Sequence, residues 1–124
     1  MGFGPAAVIG AQLGAPQKKV ITLIGDGAMS SVLGVLATAK ERNIPAVWLV
    51  MNNRSYGTIY GLQNQAYGRD IGTKFVCQES QKDYNPDFAA VARAFDIEGI
   101  LIDKPDQLRP ALERAFNADK PVLL

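Results

Sequence analysis

Two continuous apolar runs in the first half of the chain predict two buried strands, at residues 20–24 and 46–51. A strand buried on both faces of a parallel sheet gives such a run, whereas one solvated face gives alternation. Between them, apolar residues recur at a three-and-four spacing that predicts one helix over residues 29–42. Strand, helix and strand in this order predict a right-handed crossover, so both strands should end at the same sheet edge.

The remaining pattern continues this alternation of helices and strands. The glycine-rich stretch 57–75 predicts a short helix and then a long surface excursion. Further helices are predicted at residues 6–13, 86–95 and 105–116, and further strands at residues 97–102 and 121–124. The predicted fold class is α/β, with an open, mostly parallel sheet and helices on both faces.

Composition narrows the class of partner. The chain has 124 residues, the size of one domain, and a net charge of +1 without any long run of like charge. A small molecule is therefore a better partner than nucleic acid or a membrane. The single cysteine, Cys77, excludes an intrachain disulfide and predicts a reducing, cytoplasmic compartment. The chain opens and closes abruptly, so we expect the natural protein to be longer.

Polar side chains follow both predicted strands directly. Asp26 lies in a Gly25-Asp26-Gly27 turn after the first strand, and Asn53 lies in an Asn-Asn pair after the second. Carboxyl ends of parallel strands share an edge, where open α/β folds bind ligands. A carboxylate and an amide oxygen at that edge suit Mg²⁺, which takes oxygen ligands and is usually held by few protein groups plus phosphates.

The loop that carries Asp26 also opens the predicted helix. We therefore expect the free backbone amides of Gly27, Ala28 and Met29 to form an anion site at the helix N-terminus. Cation ligands beside free amides predict a diphosphate site. Each motif alone is also a common turn, because glycine accepts positive φ and aspartate and asparagine cap backbone amides.

The two motifs together carry a family resemblance. GDGAM, then the 25 residues from Ala28 to Asn52, then the second asparagine of NNRSYG, resembles the thiamin diphosphate signature of the pyruvate decarboxylase and acetolactate synthase superfamily. The resemblance extends upstream to residues 1–7 and downstream through residues 87–89 to the closing helix and strand. It implies that residues 1–124 form the diphosphate-binding, C-terminal domain of a larger three-domain enzyme, with the thiamin diphosphate-binding fold.

The resemblance also implies roles for individual residues. Asp26, the Asn53 side chain and the backbone carbonyl of Ser55 would ligate Mg²⁺, and Gly27 and Ala28 would donate amides to the diphosphate. Met1 would support the cofactor in its bent form, although it also reads as an initiator methionine. The full set of implied cofactor-binding residues is Met1, Gly25, Asp26, Gly27, Ala28, Met29, Asn53, Ser55, Tyr56, Gly57 and Thr58.

Three further positions correspond to the family's substrate pocket. Thr58 and Ile59 match a pair whose second member is an acid in yeast-type pyruvate decarboxylases, and aliphatic Ile59 cannot relay protons. This is more similar to the carboligases and lyases, although Leu62 stands where true acetolactate synthases usually carry tryptophan. The alternative is that Thr58, Ile59 and Leu62 serve only in helix packing.

The implied parent is a thiamin diphosphate-dependent lyase or transferase, similar to acetolactate synthase, that acts on a 2-oxo acid or aldehyde. Its activating glutamate comes from a pyrimidine-binding domain of the same or a neighbouring subunit, so the parent is expected to be a homodimer or homotetramer. This chain offers no candidate, because all four of its glutamates read as solvated surface charges: Glu41, Glu79, Glu98 and Glu113. We expect no catalytic residue here and no activity from the chain alone.

Two other classes of function remain open. A Rossmann-like or flavodoxin-like nucleotide-binding module without catalysis fits the strand and helix order, but the chain lacks a G-x-G-x-x-G motif and a P-loop lysine. A purely structural domain fits the apolar composition.

Overall fold

A four-stranded parallel sheet forms the centre of the chain. The computed structural model describes residues 1–124. Its strands are β1 (Ile21–Gly25), β2 (Val47–Met51), β3 (Glu98–Gly99) and β4 (Val122–Leu123), in the spatial order β1-β2-β4-β3. Every neighbouring pair is parallel. The predicted α/β class with an open parallel sheet is confirmed.

Helices pack on both faces of this sheet. They are α1 (Phe3–Gly14), α2 (Asp26–Ser30), α3 (Val35–Glu41), α4 (Gly57–Tyr67), α5 (Phe88–Ala94) and α6 (Pro105–Asn117). Side chains from α1, α2, α3 and α5 form the larger core cluster with one sheet face, and α6 forms the smaller cluster with the other. None of these helices is long and apolar enough to cross a membrane.

The register of β1 and β2 sets the position of the two loops that follow them. Gly25 pairs with Met51 at the ends of these strands. Asp26 therefore begins α2 at the level where Asn52 leaves β2. The sheet register thus brings the Gly-Asp-Gly turn and the Asn-Asn pair to one edge of the sheet, as the strand order in the sequence predicts.

The expectation that β1 is buried on both faces is wrong. β1 is an edge strand, and Leu23 is 64% exposed while Ile21 is 37% exposed. Both belong to the face that packs on α6 farther along the sheet, where Val47 of β2 joins that smaller core. Because the core cluster of α6 includes side chains of β2 and β4 and none of β1, the apolar side chains of β1 on that face remain uncovered.

The single helix expected over residues 29–42 is also wrong. The chain forms α2 and α3, joined by turns in which Val32, Val35 and Leu36 each donate a backbone hydrogen bond to the residue three before. Such tight turns replace the regular helix where Ser31 donates its hydroxyl to Ala28 O. The three-and-four apolar spacing survives because the turns keep Met29, Leu36 and Ala39 on the buried side.

Other predicted boundaries move by a few residues. The first helix begins earlier than expected, at Phe3, and the third strand is only two residues long. After α4, the excursion over residues 68–87 contains a hairpin, with an antiparallel bridge between Val76 and Asp83. A second antiparallel bridge joins Ser55 to Lys74. The excursion therefore pairs with the loop that carries Asn53.

Trp48 ties α1 to the centre of the sheet. Its side chain is fully buried in β2, and its indole Nε1 donates a 3.0 Å hydrogen bond to Pro5 O. A buried indole needs such a partner, since an unpaired buried polar group is costly. This contact fixes the first turn of α1 against the strand that leads to Asn53.

Replacing Trp48 should measure how much this contact stabilises the fold. Trp48→Phe removes the hydrogen bond and one ring, so we expect the free energy of unfolding to fall by about 1–3 kcal/mol. Urea denaturation followed by circular dichroism measures this change. Leu62→Ala, at an exposed helical position, should change stability by less than about 0.5 kcal/mol. Equal stabilities for the two variants would contradict the assigned role of Trp48.

Candidate functional site

A cavity of about 520 Å³ opens at the carboxyl edge of β1 and β2. Half of its lining residues are hydrophobic, and the rest include the side chains of Asp26, Asn53 and Ser55. The residues that line it are Met1, Leu23, Ile24, Gly25, Asp26, Gly27, Ala28, Met51, Asn53, Ser55, Tyr56, Gly57, Thr58 and Ile59. Polar and apolar residues thus line the same cavity, as in many ligand sites.

Asp26 is a buried carboxylate without a cationic partner. Its residue is 1% exposed, and none of the ion pairs in the chain includes it. Oδ1 accepts a 2.8 Å hydrogen bond from Gly27 N, while Oδ2 accepts from Arg54 N and from Asn85 Nδ2, each at 2.7 Å. Three uncharged N–H groups therefore hold a buried negative charge that would otherwise be costly.

Asn53 lines the same cavity from the loop that follows β2. Its Oδ1 accepts a 3.1 Å hydrogen bond from Ser55 N, so the side chain folds back over its own loop. A Cβ at Gly57 would lie 2.8 Å from Asn53 Nδ2, closer than a side-chain carbon can approach. Glycine at this position therefore leaves space for the Asn53 side chain.

The loop of Asn53 is held by the hairpin. Tyr56 N donates to Thr73 O at 2.8 Å, and Phe75 N donates to Arg54 O at 2.9 Å. Tyr84 N in turn donates to Phe75 O at 2.9 Å. The excursion that sequence analysis treats only as a long surface loop thus fixes the backbone on both sides of Ser55.

Gly27 and Tyr56 join the two loops by close contact. A Cβ at Gly27 would lie 2.5 Å from Tyr56 Cε1 and 2.7 Å from Tyr56 Cδ1. The Tyr56 ring also meets the ring of Phe75 edge to face, with ring centroids 4.7 Å apart. The glycine after Asp26 is therefore required because the tyrosine ring packs directly against its backbone.

Most of the residues implied by the resemblance line the cavity, but two do not. Met29 is fully buried in the core, and Leu62 is 57% exposed on α4. Thr58 and Ile59 begin the same helix and do line the cavity. The roles assigned to Met29, Leu62 and the lining residues stay predictions.

The expected anion site at a helix N-terminus stays a prediction, but one part of its description is wrong. Gly27 N is not free, because it donates to Asp26 Oδ1. The helix that follows, α2, is only five residues long, so its dipole is smaller than that of the long helix expected from the sequence. The amide of Gly27 therefore positions the carboxylate.

The four glutamates lie away from the cavity, as none of them lines it. The description of Glu98 as a solvated surface charge is wrong, however. Its side chain is 16% exposed and pairs with Arg114 and with Lys120, the latter at 3.6 Å. Glu98 therefore lies at the amino end of the sheet, where it forms ion pairs with two cationic side chains.

Asn85 is the residue of this site that sequence analysis missed. It lies 59 residues after Asp26, at the end of the excursion, and reaches both Asp26 and Asn52. Its only signal in the sequence is its place between Tyr84 and Pro86, where asparagine is an ordinary turn residue.

The donor set fits a hard divalent cation that also binds a phosphate group. A carboxylate offers about four acceptor positions, and three at Asp26 are filled, which leaves about one for a metal. Asn53 Oδ1 likewise accepts one hydrogen bond and keeps a second lone pair. No group of three or more His, Cys, Asp or Glu side chains could hold a metal by itself. Two protein oxygens beside a cavity match the usual environment of Mg²⁺.

Comparisons with known proteins agree on one family. The family described as "Thiamine pyrophosphate enzyme, C-terminal TPP binding domain" matches residues 1–124. A probable acetolactate synthase large subunit of Methanococcus aeolicus is 37% identical over 125 residues, covering all of this chain and 20% of that protein. Benzoylformate decarboxylase of Pseudomonas aeruginosa is 32% identical over 129 residues, covering all of this chain and 22% of that protein.

A solved structure gives the same result. The thiamine diphosphate-dependent 4-hydroxybenzoylformate decarboxylase of Rhodococcus jostii RHA1 matches with a TM-score of 0.87 and 31% identity, over 99% of this chain and 22% of that one. The chain therefore spans about a fifth of the length of the relatives it matches.

Together, the parallel sheet and the cavity at its carboxyl edge define an α/β ligand-binding domain. The family match names the ligand, thiamin diphosphate, which is the thiamine pyrophosphate of the family description. This chain belongs to the family of C-terminal thiamin diphosphate-binding domains, and its relatives are acetolactate synthases and decarboxylases. The resemblance of the two motifs is confirmed.

Adding a methyl group to Gly27 should loosen the two loops. In Gly27→Ala the new Cβ would overlap the Tyr56 ring, which must move and so disturb its packing on Phe75, and we expect destabilisation by about 1–3 kcal/mol. Urea denaturation measures it. The loss should shrink when Tyr56→Ala is added, because the clash is then absent.

The matched control for this experiment is Gly61→Ala. Gly61 lies inside α4, and outside the helix's own backbone and Gly61's chain neighbours no atom lies within 4 Å of a Cβ built there. Alanine there should raise stability by about 0.5–1 kcal/mol through its helix propensity. If the Gly27 and Gly61 variants behave alike, the proposed packing of Tyr56 on Gly27 is wrong.

Proposed function

We propose that this chain binds the diphosphate of thiamin diphosphate through Mg²⁺ held by Asp26, Asn53 and the backbone carbonyl of Ser55. The single observation that supports this most is the buried, cation-free carboxylate of Asp26 in a cavity that it shares with Asn53. A divalent cation there would compensate the buried charge. Bound thiamin diphosphate would supply an electron sink for making or breaking a bond beside a carbonyl group.

The apolar part of the cavity supports a cofactor with rings as well as phosphates. Four apolar side chains line the cavity and are exposed: Met1, Leu23, Met51 and Ile59. Their proposed role is to hold the rings and to exclude water from them. Met1 would support the bent cofactor. These side chains are uncovered in this chain, which is in keeping with a site that needs a second surface.

For the whole protein, we propose a decarboxylase or carboligase that acts on a 2-oxo acid, similar to acetolactate synthase. Two of the relatives described above are named as an acetolactate synthase and a decarboxylase. Ile59 lines the cavity and has no group that can transfer a proton, which favours a carboligase or lyase over a yeast-type pyruvate decarboxylase. The proposed partner is a glutamate-bearing pyrimidine-binding domain, of the same or another subunit of a cytoplasmic homodimer or homotetramer.

Cofactor binding by the chain can be tested by nuclear magnetic resonance, which detects weak binding in a protein of 13.4 kDa. Adding millimolar thiamin diphosphate should shift backbone amide signals of residues 25–28 and 53–58, and only when Mg²⁺ is present. Asp26→Ala should abolish these shifts while the spectrum stays that of a folded protein, because it removes the only buried carboxylate at the edge.

Two results would contradict the proposed binding site. One is a folded chain whose signals do not respond to thiamin diphosphate and Mg²⁺. The other is a response to adenine nucleotides alone, which would favour the nucleotide-binding module. Asn117→Ala, an exposed substitution at the end of α6, serves as the control that should bind like the unmodified chain.

The chain alone should not turn over substrate. No glutamate lines the cavity, so nothing in the chain can activate the cofactor in the way the family does. We expect no carbon dioxide release from pyruvate or benzoylformate with thiamin diphosphate and Mg²⁺, measured against a reaction without protein. Turnover that disappears in Asp26→Ala would refute the proposal that this is a half-site.

A further inference from the structure

We propose that Asn85 is a positioning residue of the metal site, which orients the Asp26 carboxylate for Mg²⁺ without ligating the metal itself. The inference rests on the proposed function. Asn85 does not line the cavity, but its Nδ2 lies 2.7 Å from Asp26 Oδ2 and 2.9 Å from Asn52 Oδ1. One side-chain amide thus bridges the two loops that follow β1 and β2.

The orientation of this amide follows from its partners. An ionised carboxylate can only accept hydrogen bonds, so the group that Asn85 turns toward Asp26 must be its NH₂. The two hydrogens of that NH₂ then serve the two acceptors, one each. Asn52 is fixed in the same way, because its Oδ1 faces donors from both Asn85 and the Arg54 backbone.

These groups form a closed ring of hydrogen bonds. Arg54 N donates to Asp26 Oδ2 at 2.7 Å and to Asn52 Oδ1 at 3.3 Å, and Asn85 Nδ2 donates to the same two oxygens. Arg54 has a φ of 57°, a left-handed conformation that few residues other than glycine adopt. The ring therefore holds the carboxylate and also a strained part of the loop that leads to Asn53.

Asn85 is itself held on a fixed backbone. On one side, Tyr84 N is bonded to Phe75 O in the hairpin. On the other side, Asp87 caps α5 by accepting a 2.9 Å hydrogen bond from Ala90 N. A group that orients a ligand must be supported in this way to be effective.

The hydrogen bond from Asn85 fixes the orientation of the Asp26 carboxylate at the metal site. Two donors on Oδ2 stop the carboxylate from rotating, so its remaining acceptor positions keep one direction relative to Asn53. Removing the outer hydrogen-bond partner of a metal ligand typically lowers metal affinity about 10–100-fold. We expect a loss of this size when Asn85 can no longer donate.

The test compares Mg²⁺ affinity in variants of the 124-residue chain at a fixed, saturating concentration of thiamin diphosphate. Asn85→Leu keeps a similar side-chain size but has no donor, and it should raise the apparent Kd for Mg²⁺ by about 10–100-fold. The amide signals of Gly27 and Arg54, which bond to Asp26, should shift even without ligand. Asn117→Leu, at an exposed asparagine, should change neither quantity.

Asn52 provides a second comparison. Asn52→Ala removes the other acceptor of Asn85 and should weaken Mg²⁺ binding less than Asn85→Leu does. Because both act through one ring, the double variant should lose less affinity than the product of the two single losses. Fully additive losses would mean that Asn85 acts independently of the ring, and would overturn the proposal.

A measurement on the unmodified chain covers the case in which Asn85→Leu does not fold. With both hydrogens bonded, the side-chain NH₂ signals of Asn85 should exchange with water more slowly than those of Asn117 and should shift on addition of Mg²⁺ and thiamin diphosphate. Exchange as fast as that of Asn117 would overturn the inference.

The outcomes separate this inference from the proposed function. If the unmodified chain does not bind Mg²⁺ with thiamin diphosphate, the proposed function fails and this inference fails with it. If the unmodified chain binds and folded Asn85→Leu binds within about 3-fold of it, well short of the expected loss, only the role of Asn85 is refuted.

Discussion

The buried carboxylate of Asp26 is the feature on which the arrangement of the site depends. Burying a charge is costly unless other groups compensate it, and here the compensation comes from N–H groups of three separate segments. Each of those segments is fixed for its own reason: Gly27 by the Tyr56 ring, Arg54 by pairing with the hairpin, and Asn85 by the hairpin and α5. The loops at this edge are therefore positioned together, because each donates a hydrogen bond to the Asp26 carboxylate.

The parts of this site that are local in the chain can be predicted from the sequence. A continuous apolar run, a glycine and a polar residue suffice to place Asp26 and Asn53 at strand ends, and the parallel order of the strands then brings the loops to one edge. The residues alone fit either a diphosphate site or two ordinary turns. The family resemblance is what identifies the cofactor. Asn85 is beyond this reasoning, because its contact with Asp26 depends on the path of a 20-residue excursion and on the bonds that tie its hairpin to the distant loop of Asn53.

The errors in the fold have a similar origin. The exposure of Leu23 depends on the spatial order of strands and on α6 covering only part of one face, and neither can be read from the apolar run itself. The division of the long helix into α2 and α3 is hidden because short turns with bonds between residues three apart keep the same side chains buried as a helix does. Periodicity therefore predicts which residues are buried more reliably than it predicts the backbone that buries them.

The chemical identity of the groups around Asp26 explains why it can serve as a ligand. All its donors are neutral amides, from the backbone of Gly27 and Arg54 and the side chain of Asn85. Neutral donors orient the carboxylate and leave its charge intact, whereas a lysine or arginine side chain would satisfy that charge and compete with a cation. The Arg54 guanidinium is nearby in sequence, yet it lies against Asp83 of the hairpin at 3.9 Å. Arg54 thus contributes its N–H to the site while its positive charge is directed away, which preserves the full attraction of Asp26 for a divalent ion.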